Sequence, residues 1–339
     1  MPNYWEKRKA RELYENLIPA EEAAEELRKL YFLLSKELQE EATKIAKRFQ
    51  LEHRLSKTEA YRLLRKVSAP DDIQQIINLL KADPANAELA AELEAPAYAA
   101  RIRRLSNVQQ QLDTLVMGVA PTVTQTFAET LTTIAQRSYY QTMIGYQEQV
   151  GANFPIAPLD EQRIMDILNR RWSGKNFSER IWDNTAKLAQ SVKRELMAGI
   201  LVGKTRTQMA NDIQEELSTA SYETRRLIRT EGTYVSGQMD LEAYKANGVE
   251  NYRYVAILDA RTSEICRSLD GKVFPVAEAI PGVNYPPMHP WCRSTTTEAM
   301  PAGLEELLVV RTYDENGTTG TRTLAEDNAV RAPFTENTK

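Results

Sequence analysis

The side chains that could bind a metal or act as a nucleophile are concentrated in one stretch, Tyr254–Thr297. It contains both cysteines of the 339-residue chain, Cys266 and Cys292, and one of its two histidines, His289. The spacing His-x-x-Cys brings two ligands within one turn of chain, and the distant cysteine can supply a third. The sequence therefore predicts a zinc site formed by Cys266, His289 and Cys292.

The fourth ligand of this site is less clear from the sequence. Structural zinc usually takes four protein ligands, and an oxygen of Asp259 or Asp270 could complete the set, with Asp259 preferred. Ser263 and Ser294 stand where further cysteines would have completed it instead. The pattern indicates a partial or former zinc site with Asp259 as its oxygen ligand. In the alternative, no metal binds, the cysteines are inert core residues, and the stretch is a compact loop that closes the fold.

The same side chains support a second hypothesis, an enzyme. A cysteine beside a histidine can form a thiolate–imidazole pair that acts as a nucleophile. The sequence contains no nucleophile elbow, no GxxxxGK[ST] loop and no GxGxxG run after a strand. We therefore expect a protein that is not an enzyme, and the alternative is a zinc- or thiol-dependent enzyme that uses Cys266, His289 and Cys292.

Charged residues of this stretch predict a buried polar network that holds its loops together. A planar guanidinium can tie a carboxylate to several loop carbonyls, and we expect Arg261 to do so with Asp259. A glycine after Asp270 suits a tight turn. The expected members of the network are Asp259, Arg261, Asp270, Gly271, His289 and Arg293.

Arginine clusters support a third hypothesis, nonspecific binding of double-stranded DNA. Such clusters neutralise phosphates and give a binding that falls steeply with salt. In the alternative, they are solvated helix faces whose arginines pair with nearby acids such as Glu223 and Glu231. No aromatic platform or base-reading motif accompanies them. The clusters are Arg101, Arg103 and Arg104; Arg170 and Arg171; and Arg225, Arg226 and Arg229.

Composition limits the classes of protein to which the chain can belong. A net charge of −4 excludes a globally basic nucleic-acid binder, although not a local basic patch. Two cysteines do not make a disulfide framework, which favours a reducing compartment. The N-terminus is charged without an apolar core, and no window approaches the ~18 apolar residues of a membrane span. We expect a protein of a cytoplasm, with no membrane partner.

The elements that must position these side chains are predicted to be mainly α: long helices with a small C-terminal α+β module that contains a short antiparallel sheet. Glycine is scarce, with 14 residues, and helix formers are plentiful. We assign residues 1–150 to an N-terminal helical region that binds partners and 151–250 to a second helical region. Residues 251–313 form the small module, and 314–339 form a tail that is loosely ordered from about Ala325.

Changes of pattern mark the element boundaries. Apolar residues at three- and four-residue steps from Leu27 to Ile45 predict an amphipathic helix after Pro19. A boundary is expected at Ala120-Pro121, and Gly248 suits the end of the last long helix. Alternation then predicts a strand over Tyr252–Leu258. Further strands are expected at Lys272–Phe274 and Leu307–Tyr313, with a turn at Glu315–Gly317.

The run from Leu227 to Thr297 resembles the head-morphogenesis, or minor head, proteins of tailed bacteriophages, the Mu F type. The series D-x-R-T…C…D-G…P-P-x-H-P-x-C-R carries the resemblance, and the run covers about a fifth of the chain. Its parts are Arg229-Thr230-Glu231, Leu258-Asp259-Ala260-Arg261-Thr262, Cys266, Leu269-Asp270-Gly271, Pro286-Pro287, His289-Pro290 and Cys292-Arg293.

The resemblance implies a virion component and not an enzyme. Such proteins enter the procapsid in few copies, associate with the portal or the inner head, and influence head assembly and the handling of packaged DNA. The implied partners are the portal protein, capsid or scaffolding proteins, and double-stranded DNA. The implied location is the head interior or portal vertex, after assembly in the host cytoplasm. Relatives carry extra cysteines around the same histidine, and this chain departs from that pattern at Ser263 and Ser294.

Overall fold

The computed structural model describes residues 4–47, 49, 51–69, 71–299, 309–313 and 319–323. The helices are α1 (Tyr4–Asn16), α2 (Ile18–Ala46), α3 (Lys57–Leu64), α4 (Ile73–Lys81), α5 (Ala87–Glu94), α6 (Pro96–Met117), α7 (Ala120–Val150), α8 (Glu161–Leu168), α9 (Phe177–Val202), α10 (Arg206–Ala246) and α11 (Glu264–Leu269). The strands are β1 (Asn251–Val255), β2 (Val273–Pro275), β3 (Thr295–Glu298), β4 (Val309–Tyr313) and β5 (Thr319–Thr323). The prediction of long helices with a small C-terminal antiparallel sheet is confirmed. In the part of the chain described, no helix is both long enough and apolar enough to cross a membrane.

Local sequence signals set several helix ends. The Ser56 hydroxyl accepts from the Glu59 amide and the Glu59 carboxylate accepts from the Ser56 amide, which forms a capping box at α3. Asp72 caps α4 by accepting from the Gln75 amide at 2.9 Å. After α10, Gly248 takes a φ of 68°, a conformation that favours glycine. The end of α10 and the break between α6 and α7 lie close to the predicted positions.

The chain divides into two compact units, each assembled from distant parts of the sequence. Unit 1 comprises Met1–Ala23, Thr126–Phe177 and Arg225–Lys339, and unit 2 comprises Ala24–Gln125 and Ser178–Thr224. Both of the predicted helical regions, 1–150 and 151–250, contribute to each unit.

Unit 2 has an apolar core to which α2 contributes its predicted stripe. Tyr31, Leu34 and Leu38 are buried in this core together with apolar residues of α4, α6 and α9. A buried lysine, Lys193, is neutralised there by Asp71 at 3.2 Å and Asp113 at 2.9 Å. A buried cation needs such partners, because its desolvation is otherwise too costly.

Unit 1 is built around the C-terminal half of α10, in which residues 231–240 are all buried. A helix buried on every side must pack closely against its neighbours. Gly232 allows this approach, since a Cβ there would lie 2.8 Å from Leu17 and 3.1 Å from Ile134. The Ser236 hydroxyl accepts a hydrogen bond from Ser138 at 2.9 Å, so this polar group of the interior is paired.

The small sheet of unit 1 has the strand order β2-β1-β3, and both pairings are antiparallel. Tyr252 and Tyr254 of β1 are fully buried, and all four residues of β3 are buried, where α1 packs against that strand. A buried strand must have every backbone group paired or covered. The sheet therefore holds the loops that follow its strands in fixed positions.

The strand predictions are partly correct. β1 and β2 lie at the predicted positions, but β3 was not predicted. The third predicted strand lies at β4, which pairs with β5 in a separate two-stranded sheet and not with β1. The predicted turn at Glu315–Gly317 and the loose tail from Ala325 lie outside the described residues.

Candidate functional site

The first cysteine is positioned by the start of α11. Ser263 is the N-cap residue, and its hydroxyl accepts from the Cys266 amide at 3.3 Å. This cap fixes the first turn of the helix and points Cys266 into the module, where it is buried. The Ser-x-x-Cys spacing is thus the local reason for the position of the thiol.

The other two rare residues, His289 and Cys292, are the ends of one tight turn. The Cys292 amide donates to the His289 carbonyl at 3.1 Å. Pro290 takes the second position of this turn and Trp291 the third, with a φ of 63°. Proline followed by a residue of positive φ is the pattern of a type II turn, in which the third residue is normally glycine. The conformation of Trp291 is therefore strained.

Two threonines on α10 hold this strained turn. The Thr230 hydroxyl accepts from the Trp291 amide at 3.3 Å, and the Thr233 hydroxyl donates to the Cys292 carbonyl at 3.2 Å. Residues three apart on a helix share a face, so both hydroxyls meet the turn at once. The helix that forms the core of unit 1 thus also positions the two ligands.

The three predicted ligands come together. The two sulfurs, Sγ of Cys266 and Sγ of Cys292, are 3.8 Å apart, and Nε2 of His289 is 3.3 Å from the Cys266 sulfur. All three ligand atoms lie within 4.8 Å of one another. Two sulfurs on one tetrahedral zinc lie about 3.8 Å apart, and a nitrogen and a sulfur about 3.5 Å apart. The separations therefore fit three corners of a zinc tetrahedron.

The histidine is held in the tautomer that a metal requires. Its Nδ1 is 2.8 Å from the carbonyl oxygen of Pro290. A carbonyl can only accept, so Nδ1 carries the proton and Nε2 keeps its lone pair. Nε2 is directed at Ser263 Oγ, 2.8 Å away, and at the Cys266 sulfur. A metal-binding histidine is typically oriented by such a bond to a backbone carbonyl.

The two thiols differ in acidity. A hydrogen bond from Cys292 lowers the pKa of Cys266, and bonds from Ser263, Ser294 and Tyr254 act in the same direction against burial. The pKa of Cys292 is raised, because its proton is engaged by Cys266 and the group is buried. Cys266 is therefore the sulfur that ionises first, and the thiolate is the form that binds metals.

Asp259, the predicted fourth ligand, is engaged elsewhere. Its two carboxylate oxygens accept from the guanidinium of Arg293 at 2.6 and 2.7 Å. This pairing holds the pKa of Asp259 well below its usual range. The Asp259 carboxylate is not part of the cluster formed by the two cysteines and His289. The described residues thus bring together three ligands, with the hydroxyl of Ser263 beside them.

The predicted network is present in part, but at the surface and not buried. Arg293 makes the two-pronged pair with Asp259 that was expected of Arg261, whose side chain is 79% exposed and lies 3.6 Å from Asp259. Asp270 is also exposed, and its carboxylate accepts from the Ala256 amide at 2.8 Å. Gly271 takes a φ of 75°, as a tight turn after Asp270 requires.

Sequence reasoning missed the residues that orient the ligands. Thr230 belongs to the Arg-Thr-Glu run that carried the resemblance, but nothing local linked it to a turn 61 positions away. Trp291 gave no signal, because tryptophan is rare at positive φ. Ser263 was noted only as an absent cysteine, although Ser-x-x-Cys could have been recognised as a helix cap.

Comparison with known proteins identifies the same region of the chain as the one that contains the cysteines and the histidine. Residues 190–297 match the family model described as Phage Mu protein F like protein. The matched range runs from within α9 through α10 to β3, so it includes every residue of the cluster. No solved structure matches the chain.

A curated relative also shares part of the sequence. The NAD(+)–arginine ADP-ribosyltransferase EFV of Enterococcus faecalis (strain ATCC 700802 / V583) is 25% identical over 181 residues. The alignment covers 52% of this chain and 37% of the relative, so the chain spans little more than a third of that protein's length.

Fold and site together define the class: a mainly helical protein whose small antiparallel module gathers two cysteines and a histidine against the longest helix. Within that class, residues 190–297 form a Mu F-like region. The resemblance to the Mu F-like phage head proteins is thereby confirmed over these residues.

Proposed function

We propose that this chain is a phage minor head protein that acts in head morphogenesis and becomes part of the virion. The observation that carries the proposal is the Mu F-like match over residues 190–297. The match supports a structural protein of the phage head. In the finer form of the proposal, the protein is bound to the portal or to the inner face of the procapsid.

Exposed apolar side chains of the module support a role in protein contacts. Scattered exposed apolar residues are normal, but a concentration of them marks an interaction surface. The module exposes five in a span of 26 residues, a density matched in the described chain by residues 14–33, which expose four in 20. The five are Leu258, Ile265, Val273, Ile280 and Val283.

Procapsid assembly tests this proposal directly. Procapsids formed with the portal, capsid and scaffolding proteins are purified, and this chain is counted in them by quantitative mass spectrometry. We expect a few copies per particle, fewer with Ile280→Ser/Val283→Ser, and an unchanged number with the control Met165→Ser, an apolar residue 48% exposed outside the module. A chain that sediments free of procapsids would refute the proposal. The partner-binding role of residues 1–150 stays a prediction.

We also propose that the module binds one zinc ion through Cys266, His289 and Cys292, in a structural role. The separations of the three ligand atoms and the free lone pair of Nε2 support it. We expect purified protein to contain one zinc per chain and Cys266→Ser to lose it. His53→Gln, which alters the exposed histidine outside the module, should retain it. A metal-free protein with two titratable thiols would contradict the zinc proposal and leave the assembly proposal intact.

The activity named for the enterococcal relative gives a separate test. The alignment covers 37% of that protein, and we expect this chain to lack the transfer reaction. Labelled NAD(+) is incubated with the protein and an arginine-bearing acceptor, and label on the acceptor is measured. Incorporation above a heat-inactivated control would overturn the assignment as a purely structural protein.

A further inference from the structure

We propose that the N-terminal half of α6 is a contact surface for the phosphate backbone of double-stranded DNA, through Arg101, Arg103 and Arg104. The inference rests on the proposed function in one respect: a protein of the phage head meets DNA, and DNA is therefore chosen as the polyanion. What singles out this helix is that, among the described residues, none of its three arginines pairs with a carboxylate, whereas two arginines of another cluster share one.

The other two clusters are largely satisfied within the protein. Arg225 and Arg229 both bind the carboxylate of Glu21 at 2.9 Å. Arg170 donates to the side chain of Gln238 at 3.2 Å. An arginine that already has a carboxylate partner must give it up to bind a phosphate. Arg225 and Arg229 are therefore already paired with an acid, as the alternative of paired helix faces expects, although that acid is Glu21 of α2.

The α6 cluster is different. In the described part of the chain, none of its three arginines forms an ion pair with a carboxylate. Arg103 and Arg104 are exposed, and Arg101 lies with its guanidinium 4.7 Å from the ring centre of Tyr98. The aromatic ring holds the Arg101 side chain in place without neutralising it. Arg103 and Arg104 thus present two exposed positive charges, and the half-buried Arg101 adds a third beside Tyr98, whose hydroxyl donates to Glu92 at 3.1 Å.

The helix itself adds to this positive charge. No acidic residue lies in its first turn, and no side chain caps it. The exposed peptide N–H groups at a helix N-terminus carry a partial positive charge that favours an anion. The arginines lie in the second and third turns of α6, so this end of the helix adds a separate, weaker preference for an anion next to them.

The face beyond the arginines is also free of negative charge. Asn107, Gln110 and Gln111 are exposed along the next turns of α6, and their amides are suited to phosphate oxygens. The first acid of the helix is Asp113, which is held by Lys193 at 2.9 Å.

The strength of the contact follows from counterion release. Each phosphate neutralised contributes about −0.9 to the slope of log affinity against log salt. Three contacts give a slope of about −2.7, so affinity falls by about 40-fold between 50 and 200 mM salt. Binding of this kind is independent of base sequence, because nothing in the surface reads base edges.

A salt series on the full chain tests the proposal. A 30-base-pair duplex of mixed sequence is titrated with wild type and with Arg101→Gln/Arg103→Gln/Arg104→Gln. The control, Arg28→Gln/Lys29→Gln/Lys36→Gln, removes three exposed cations from α2, where acids alternate with them. Circular dichroism confirms that each variant is folded, so a loss of binding is not a loss of structure.

We expect wild type and control to share a slope near the calculated value, and the α6 variant to have a slope near zero. Equal affinities and slopes for the α6 variant and wild type would overturn the proposal, as would binding that does not change with salt. Normal DNA binding by the α6 variant together with lost procapsid entry would also overturn it, since α6 would then face an acidic protein. Failure of wild type to enter procapsids, with the DNA result as expected, would contradict the proposed function alone.

Discussion

Lys9 of α1 is the residue whose replacement gives the sharpest test of the interior of unit 1. It is 7% exposed, and its ammonium donates to Thr142 at 2.5 Å and to Asp240 at 3.1 Å. The carboxylate of Glu12 lies 3.7 Å away. Burial alone would lower the pKa of Lys9, but the carboxylates of Asp240, Glu12 and Glu298 outweigh burial and raise it.

The change Lys9→Met keeps the length and apolar stem of the side chain, so the loss is one of charge. Asp240, which is 4% exposed, then keeps only its hydroxyl partner, Thr142. Removing one member of a buried ion pair typically costs about 3–5 kcal/mol, because the other charge stays buried without a partner. We expect the free energy of unfolding to fall by about that amount at pH 8.

The cost should depend on pH in a definite direction. Burial raises the pKa of the Asp240 carboxyl, and the positive charge of Lys9 offsets part of this rise. Burial also raises the pKa of Glu298. A carboxyl whose pKa is raised by folding contributes stability below its unfolded pKa, near 3.9 for aspartate, and loses it as pH rises through the folded value. Without Lys9 the raised pKa of Asp240 rises further, so the deficit of Lys9→Met should be smaller at pH 5 than at pH 8.

Urea unfolding followed by circular dichroism at both pH values measures this. Lys29→Met, at an exposed position of α2, should change stability by less than about 0.5 kcal/mol. Adding Asp240→Asn to Lys9→Met should recover part of the loss, because it removes the unpaired charge. A deficit below about 1 kcal/mol at pH 8, or one that is equal at the two pH values, would refute this account of the interior.

Two further predictions concern the module. Gly237→Ala should destabilise unit 1 by about 1–3 kcal/mol in urea unfolding, because a Cβ would lie 2.9 Å from the ring of Tyr285. The control, Gly145→Ala, places a Cβ with nothing within 4 Å and should stabilise the protein by about 0.5–1 kcal/mol. Equal effects at the two sites would contradict the close packing of Gly237 against Tyr285. Asp259→Asn should lower the thermal midpoint at pH 7. Because Arg293 lowers the pKa of Asp259, the stability that this ion pair contributes is present above the unfolded pKa of aspartate. It is lost as the pH falls through the lower pKa of the folded state. The difference should therefore shrink at strongly acid pH, and a difference that grows on acidification would rule the pair out as its source.

The helical part of the fold was predictable because its signals are local. The apolar stripe of α2, the cap at Ser56 and the glycine after α10 are each read within a few residues of chain. The division into two units was not, because it depends on contacts between segments far apart in sequence. No periodicity indicates that α1 packs against β3.

The strand that sequence reasoning missed shows a different limit. β3 reads Thr-Thr-Thr-Glu, a polar run without hydrophobic alternation, yet all four residues are buried. Its burial comes from pairing with β1 on one side and from α1 packed against it. A carboxylic acid there is tolerated since Glu298 lies near Lys9, a residue some 290 positions earlier. Tertiary context outweighs β-propensity in such cases.

The candidate site was predictable where it depended on rare residues. Cys266, His289 and Cys292 were grouped because so few alternatives exist in the chain, and the structure brings them together. The partner of Asp259 was assigned to Arg261 because a planar guanidinium can bind a carboxylate and loop carbonyls together. Adjacency in sequence does not tell which guanidinium faces a carboxylate, and the turn after β1 directs Arg261 outward while Arg293 reaches across the loop.

Ser263 has a consequence for how far this centre depends on metal. Serine and cysteine differ by a single atom, and in this position the oxygen both caps α11 and lies 2.8 Å from the ring nitrogen of His289. Exchange for cysteine would supply a further sulfur while weakening a cap that is worth about 1 kcal/mol. With serine at this position, the start of α11 is held by an oxygen and needs no metal. If the proposed zinc binds, Ser263→Cys should strengthen zinc binding and make the start of α11 depend more on the metal.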